Sequence, residues 1–184
     1  MRIIAGEARG RTIEAPPGKH TRPTLDRVRE NMFNMLQADI PGSRILDLFA
    51  GSGALSLESL SRGAEFAVMV DSDRIAIMTQ KKNITSLGYT GKTRQFYCDW
   101  RKAVNELTRN RETFDVVFLD PPYAMQDLRD VFDAIDGVTG TDSLVILEHE
   151  SAKDIIVSDR FRLIRQRSWG FCAVSIYTPK IQGE

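Results

Sequence analysis

The stretch Arg44-Ile45-Leu46-Asp47-Leu48-Phe49-Ala50-Gly51-Ser52-Gly53 decides the fold. Arg44 to Leu48 read as a short strand, the two glycines as a tight turn, and a helix follows from about 53 to 61. Glycine lets the backbone turn sharply and approach a ligand closely, while the helix N-terminus offers free amides to a carboxylate or phosphate. A lone Gly-x-Gly is weak by itself. The third glycine of the dinucleotide fingerprint is missing, since position 56 is Ser56, and this counts against a nicotinamide cofactor.

Downstream the unit repeats. Phe66–Val70 reads as a strand before a helix at about 74–86, and Thr93–Tyr97 as a strand before a helix at about 100–108. Phe114–Leu119 and Ser143–Glu148 follow, nearly continuous in apolar residues as parallel strands covered on both faces are. Phe161–Arg167 and Phe171–Tyr177 then face each other across Ser168, Trp169 and Gly170, the pattern of a terminal antiparallel hairpin. Alternation of strand and helix predicts a doubly wound α/β fold with a mostly parallel seven-stranded sheet. At 184 residues this is one compact domain with at most a small appendage.

Upstream, residues 2–5 and 11–13 carry short apolar segments among glycines and arginines, consistent with a small hairpin or arm. Pro16, Pro17, Gly18 and Pro23 prevent regular structure until about Thr24, a plausible N-cap. Leu25, Val28, Met32, Met35 and Leu36 then recur at helical spacing, closed by Pro41 and Gly42. The chain thus divides into an N-terminal arm and helix, 1–40, and a main unit, 41–184. Arg29 falls inside the apolar arc of the helix, between Leu36 and Phe33, where a charge needs a partner. Either its stem snorkels to water or its guanidinium has an inward role.

Composition excludes several classes. With 42% apolar and 27% charged residues, the chain is neither disordered, collagen-like nor a coiled coil. No apolar run approaches the roughly 20 residues needed to cross a bilayer. Arg2, Arg9 and Arg11 interleave with glycines and leave no signal-peptide core, so a cytoplasmic protein is expected. Cys98 and Cys172 are too few for a disulfide framework or a zinc site. His20 and His149 lack metal-ligand spacing and are expected to be structural, so no metal is expected.

The formal net charge is zero, 25 basic residues against 25 acidic, which taken alone argues against a nucleic-acid partner. The distribution argues the other way. Residues 1–30 carry seven Lys/Arg against four Asp/Glu, and 153–184 carry six against three, so both ends are basic and the middle acidic. If the ends meet, Arg2, Arg9, Arg11, Lys19 and Arg22, with Arg165 and Arg167, could form one surface for a polyanion; the alternative is a set of solvated charges.

Two acids, Asp71 and Asp99, follow strands and suit a nucleoside ligand. Asp47 precedes the glycine turn. Asp71, followed by Ser72, could accept from ribose hydroxyls or serve as a turn residue, and Asp99, before Trp100, could reach an adenine amine or cap the next helix. The decisive segment is Asp120-Pro121-Pro122-Tyr123, directly after a buried strand. Its prolines remove backbone donors and fix the chain, leaving the Asp120 carboxylate and the Pro121 carbonyl as acceptors without competitors. An exocyclic base amine could donate both protons to this pair while the Tyr123 ring stacks on the base. Two acceptors would stabilise positive charge growing on the nitrogen as it attacks an electrophilic methyl group. A rigid surface turn is the alternative, but the carboxyl edge of an α/β sheet is where such folds bind ligands.

Asp-Leu-Phe-Ala-Gly-Ser-Gly (47–53) with Asp-Pro-Pro-Tyr (120–123) resembles the Rossmann-like class I S-adenosylmethionine-dependent methyltransferases that modify base amines. The opening MRIIAGEARGR and then TRPTLDRVRENMFNML are similar to the N-terminal signature of the RsmD-type 16S ribosomal RNA guanine-N(2) methyltransferases. That likeness covers nearly the whole chain. It implies S-adenosyl-L-methionine as cofactor, with its methionine part at Phe49, Ala50, Gly51, Ser52 and Gly53 and its amino group near Asp47. Asp71 and Ser72 would meet the ribose, Asp99 and Trp100 the adenine. Asp120, Pro121, Pro122 and Tyr123 would hold the guanine. The partner implied is 16S ribosomal RNA of the small subunit, met by Arg2, Arg9, Arg11 and Arg22 with Arg29 lining the entrance, and a monomer is expected.

Overall fold

The computed structural model describes residues 1–16, 23–122 and 124–181; the side chains of 23–25 lie outside the description, as do Arg22 and Tyr123. Among the described residues seven strands form one sheet: β1 (Arg44–Asp47), β2 (Phe66–Asp71), β3 (Thr93–Tyr97), β4 (Phe114–Leu119), β5 (Thr139–Glu150), β6 (Phe161–Trp169) and β7 (Cys172–Pro179). Their spatial order is β3-β2-β1-β4-β5-β7-β6. Every pairing from β3 to β5 is parallel, and β7 pairs antiparallel with both β5 and β6. The order in which the chain adds strands therefore reverses between β1 and β4, which opens a crevice at their carboxyl ends.

Helices cover both faces. On one face α1 (Pro23–Met35), α2 (Ala54–Ser61) and α3 (Arg74–Leu87) pack Val28, Met32, Leu57, Leu60 and Ile84 against Ile45, Val116, Phe118 and Ile146. On the other, α4 (Trp100–Arg109) and α5 (Arg129–Ile135) pack Val104, Leu107, Val131 and Phe132 against Leu46, Val117 and Leu147. Successive strand residues point to opposite faces, which is why these strands are apolar at nearly every position. No helix among the described residues is long and apolar enough to cross a membrane.

Some boundaries differ from the sequence reading. Helix α1 starts at Pro23, so residue 24 lies in its first turn instead of preceding it; proline's fixed φ and missing N–H suit the first helical position. Strand β5 begins at Thr139, and β1 ends at Asp47, so Leu48 opens the turn.

The N-terminal segment is a small hairpin, bridged antiparallel at Arg2 and Thr12. Its Ile3, Ala8 and Ile13 are buried in the same core as α1 and α2. Glu58 of α2, fully buried, accepts from the amides of Ile4 and Ala5 at 2.7 and 3.0 Å and from Arg62 Nε at 2.8 Å. Gly6, at φ +82, lies so close to α2 that a Cβ would stand 1.7 Å from the Ser61 carbonyl oxygen. No side chain fits there, which gives the glycine of the opening signature a packing role.

Candidate active site

A cleft of about 210 Å³ opens over the carboxyl ends of β1, β4 and β5. Asp47, Phe49, Ala50, Gly51, Ser52, Asp120 and Glu148 line it from the sheet edge, Asp26 and Arg29 from α1, and Met1, Ala15 and Pro16 from the N-terminal segment. The glycine turn and the Asp-Pro-Pro turn, 67 residues apart by the numbers of Gly53 and Asp120, thus meet in one place.

Several bonds fix the glycine turn. Gly53 caps α2 at φ +80, a left-handed conformation, and a Cβ there would approach Met69 Sδ to 3.1 Å. The amide of Gly51 donates to Asp71 Oδ2 at 2.8 Å, and Asp71 Oδ1 accepts from the Asp73 amide at 2.8 Å. From α3, Gln80 donates to the Gly51 carbonyl at 3.1 Å and Asn83 to the Ser52 carbonyl at 3.0 Å. Asn83 also accepts from the Glu14 amide at 2.8 Å and donates to the Glu14 carbonyl at 3.0 Å, tying the N-terminal segment to the turn. Gln80 and Asn83 escaped the sequence reading. Their only signal was polarity on the inward face of an amphipathic helix.

Asp47 is 1% exposed. Ser56 Oγ donates to its Oδ2 at 3.0 Å, while Oδ1 is buried without a partner among the described residues. Burial pushes its pKa up to about 7, opposed by the Ser56 bond and assisted by the nearby charge of Asp71. The residue that breaks the dinucleotide fingerprint is therefore the one that orients Asp47.

Asp120 follows β4 directly and faces solvent within the cleft; Pro121 is buried and Pro122 exposed. The Met125 amide donates to the Pro122 carbonyl at 2.8 Å, closing the turn. Glu148, which the sequence reading passed over, emerges from β5 beside Asp120. Leu119 and Leu147 are register partners, so the next residues share the opposite face. Cys172 Sγ, on β7, donates to Glu148 Oε1 at 3.4 Å. Burial raises the pKa of both groups, and the charges of Glu148 and Asp120 push the thiol further up. An acid ending an apolar strand at the carboxyl edge was the signal available.

Arg29 does not snorkel. It is 7% exposed, donates from Nη2 to the Arg2 carbonyl at 2.7 Å, pairs with Asp26 at 3.2 Å, and leaves Nε without a partner among the described residues. Arg2, Arg9 and Arg11 are exposed, and the Arg11 guanidinium donates to the Ser86 carbonyl. Asp71, Ser72, Asp99 and Trp100 are not among the residues lining the cleft. Asp99 caps α4, accepting from the Arg101 amide at 2.9 Å, and Trp100 is buried in the core on the α4 side. His149 sits between the Glu150 carbonyl and Ser175 Oγ, 3.0 and 2.8 Å away, as a structural histidine would.

The family model described as "Conserved hypothetical protein 95" matches residues 1–178, from the N-terminal hairpin through β7. The chain belongs to that family, the RsmD family. A relative from Bacillus subtilis (strain 168), "Putative rRNA methyltransferase YlbH", is 38% identical over 98% of this chain and 100% of its own length. "Ribosomal RNA small subunit methyltransferase D" of Escherichia coli (strain K12) is 34% identical over 100% of this chain and 92% of its own. Among solved structures, "Putative methyltransferase yhhF from Escherichia coli" superposes with a TM-score of 0.83 at 31% identity, covering 99% of each chain. The RsmD-family chain thus has the class I methyltransferase fold, including its antiparallel C-terminal hairpin.

Proposed function

We propose that this chain transfers a methyl group from S-adenosylmethionine to the 2-amino group of a guanine in 16S ribosomal RNA of the small subunit. The observation that carries the reading is the convergence of Asp47, the glycine turn and Asp120 on one cleft. The buried Oδ1 of Asp47, short of a donor, fits the ammonium of the cofactor's methionine part. Phe49, Ala50, Gly51, Ser52 and Gly53 would hold the rest of that part, with Asp71 and Ser72 toward the ribose and Asp99 and Trp100 toward the adenine. Bound there, the cofactor supplies an electrophilic methyl carbon on a sulfonium.

The chain's own residues supply position and charge. Asp120 and the Pro121 carbonyl would accept hydrogen bonds from the two amine N–H groups and hold the nitrogen at an attack distance of about 3 to 3.5 Å, and the one proton that the nitrogen sheds as the methyl leaves the sulfonium would pass to the Asp120 carboxylate. The Asp120 carboxylate stabilises the positive charge that develops on the nitrogen. Tyr123, outside the described residues, would stack on the base, which has to leave its own stack to enter. The family relatives named as small-subunit RNA methyltransferases support the substrate class. Residues 1–40, with Arg2, Arg9, Arg11, Arg22 and Arg29, would serve RNA contact and entry, and 41–184 the chemistry, in a cytoplasmic monomer.

The test is incubation with methyl-labelled cofactor and unmodified small ribosomal subunits, followed by nucleoside analysis. Label in N2-methylguanosine is the expected result. Label confined to methyladenine or methylcytosine would reject the guanine assignment, and none in RNA would reject the substrate class.

A further inference from the structure

The reaction as described gives Glu148 nothing to do. Its carboxyl nevertheless lines the cleft with Asp120 and Asp47, on the same face of neighbouring strands. Burial disfavours its charge, and the one donor recorded for it among the described residues is the Cys172 thiol, a weak one. Of the cationic groups lining the cleft among the described residues, Arg29 is held by Asp26 and the Arg2 carbonyl, and the Met1 ammonium donates to the Ile13 carbonyl. An acid kept under these conditions is short of a strong donor that a ligand could bring.

The chemistry of the bases says which ligand. Asp120 would grip an exocyclic amine, and Glu148 stands one strand further along, within the same cleft, beside the ring atoms that flank that amine. In guanine one of the two, N1, carries a hydrogen, while N3 does not. Adenine and cytosine have a bare lone pair in the corresponding place, N1 and N3. In its ionised form the carboxylate only accepts, so it bonds the first and repels the other two.

We infer that Glu148 accepts the N1–H of the target guanine and thereby selects guanine over adenine and cytosine. The inference rests on the guanine reading above and adds the residue that would enforce it. Cys172 steadies Oε1, which leaves Oε2 for the base.

The experiment uses small subunits reconstituted with 16S ribosomal RNA carrying guanine, 6-thioguanine or 2-aminopurine at the methylated position, once mass mapping has located it. 6-Thioguanine keeps N1–H and alters O6; 2-aminopurine keeps the 2-amine but has a bare N1. The native enzyme should use 6-thioguanine within about tenfold of guanine and 2-aminopurine at least roughly 100-fold less well, the scale of an unmatched buried polar group. In Glu148→Gln, whose amide can donate to a bare N1, the guanine to 2-aminopurine ratio of kcat/KM should fall to about tenfold or less. A merely structural role would lower both rates and leave the ratio alone.

Equal use of guanine and 2-aminopurine by the native enzyme overturns the inference, and this arm needs no variant to fold. An unchanged ratio in a folded Glu148→Gln overturns it as well. In both cases methylguanosine still forms and the guanine reading stands. Methyl transfer to adenine or cytosine in unmodified subunits would instead remove that reading and the Glu148 assignment together.

Discussion

On the β2 and β3 side of the sheet's carboxyl edge, Asp71 and Asp99 give their oxygens to backbone amides at 2.8 to 2.9 Å and keep access to water. On the β1 and β5 side, Asp47 is buried and Glu148 half-buried, each with one side-chain donor, a hydroxyl or a thiol, among the described residues, and both have raised pKa values. Acidic side chains along one edge of the sheet thus do two jobs. Acids of the first pair shape the turns around them. Acids of the second pair are held short of donors over a cleft, a cost the fold tolerates where a ligand brings the missing hydrogen. Asp120 stands between them, exposed but inside the cleft.

The largest effect should come from the group assigned to the reacting nitrogen. Asp120→Ala should lower single-turnover methyl transfer to small subunits by about 10²- to 10³-fold, the usual loss when one charge-stabilising group is removed. Calorimetric affinity for the cofactor should stay within about threefold, because Asp47 and the glycine turn, which would hold the cofactor, are intact; threefold is about 0.6 kcal/mol, the net worth of one ordinary hydrogen bond. Undiminished transfer would move the chemistry away from Asp120 and erase its difference from Asp71 and Asp99.

The sequence makes the skeleton of this comparison legible. Strand-helix alternation and the apolar run Phe114–Leu119 carry the fold, because period and turn chemistry are local properties. Asp47 and Asp120 are legible for the same reason, each marked by a turn directly after a strand. Glu148 is not, since its neighbours in the cleft come from β4 and β7, and only register places it beside Asp120 and Cys172. Gln80 and Asn83 are hidden in the same way, reaching the glycine turn from a helix some 30 residues later. The roles of Asp71 and Asp99 stay open in the sequence because a ribose hydroxyl and a backbone amide ask for the same acceptor.

A second way to sharpen the contrast is Asp47→Asn, which removes the charge and keeps the shape. The folded-state pKa of Asp47, about 7, is raised above the ordinary 3.8, so the fold favours the protonated form. The associated stability is full below about pH 4 and is lost as pH rises toward 7. The variant should therefore be more stable than the native protein at pH 8, by roughly 2 to 4 kcal/mol without ligand, and little different at pH 4. Cofactor binding should move the opposite way, weakening by roughly 30-fold at pH 8, the low end for breaking a buried charged pair. Affinity of the native protein should climb between pH 6 and 8 as Asp47 ionises, and that climb should vanish in the variant. Urea denaturation and calorimetry across that range are the measurements; a variant less stable at pH 8 would mean that Asp47 already has its donor inside the protein.

The smallest effect separates cap from ligand contact at Asp99. Asparagine caps a helix about as well as aspartate, whereas alanine forfeits about 1 kcal/mol. Asp99→Ala should lower stability by that amount and Asp99→Asn should not, since either side-chain oxygen can accept from the Arg101 amide. An adenine amine asks for something different, an acceptor on the remaining oxygen, and asparagine puts a donor there. If Asp99 also meets the adenine, Asp99→Asn should weaken cofactor binding by up to about tenfold, the worth of one exposed hydrogen bond, with the melting profile unchanged. Affinity equal to that of the native protein in both variants would leave Asp99 a cap alone, wholly on the self-satisfied side of the edge.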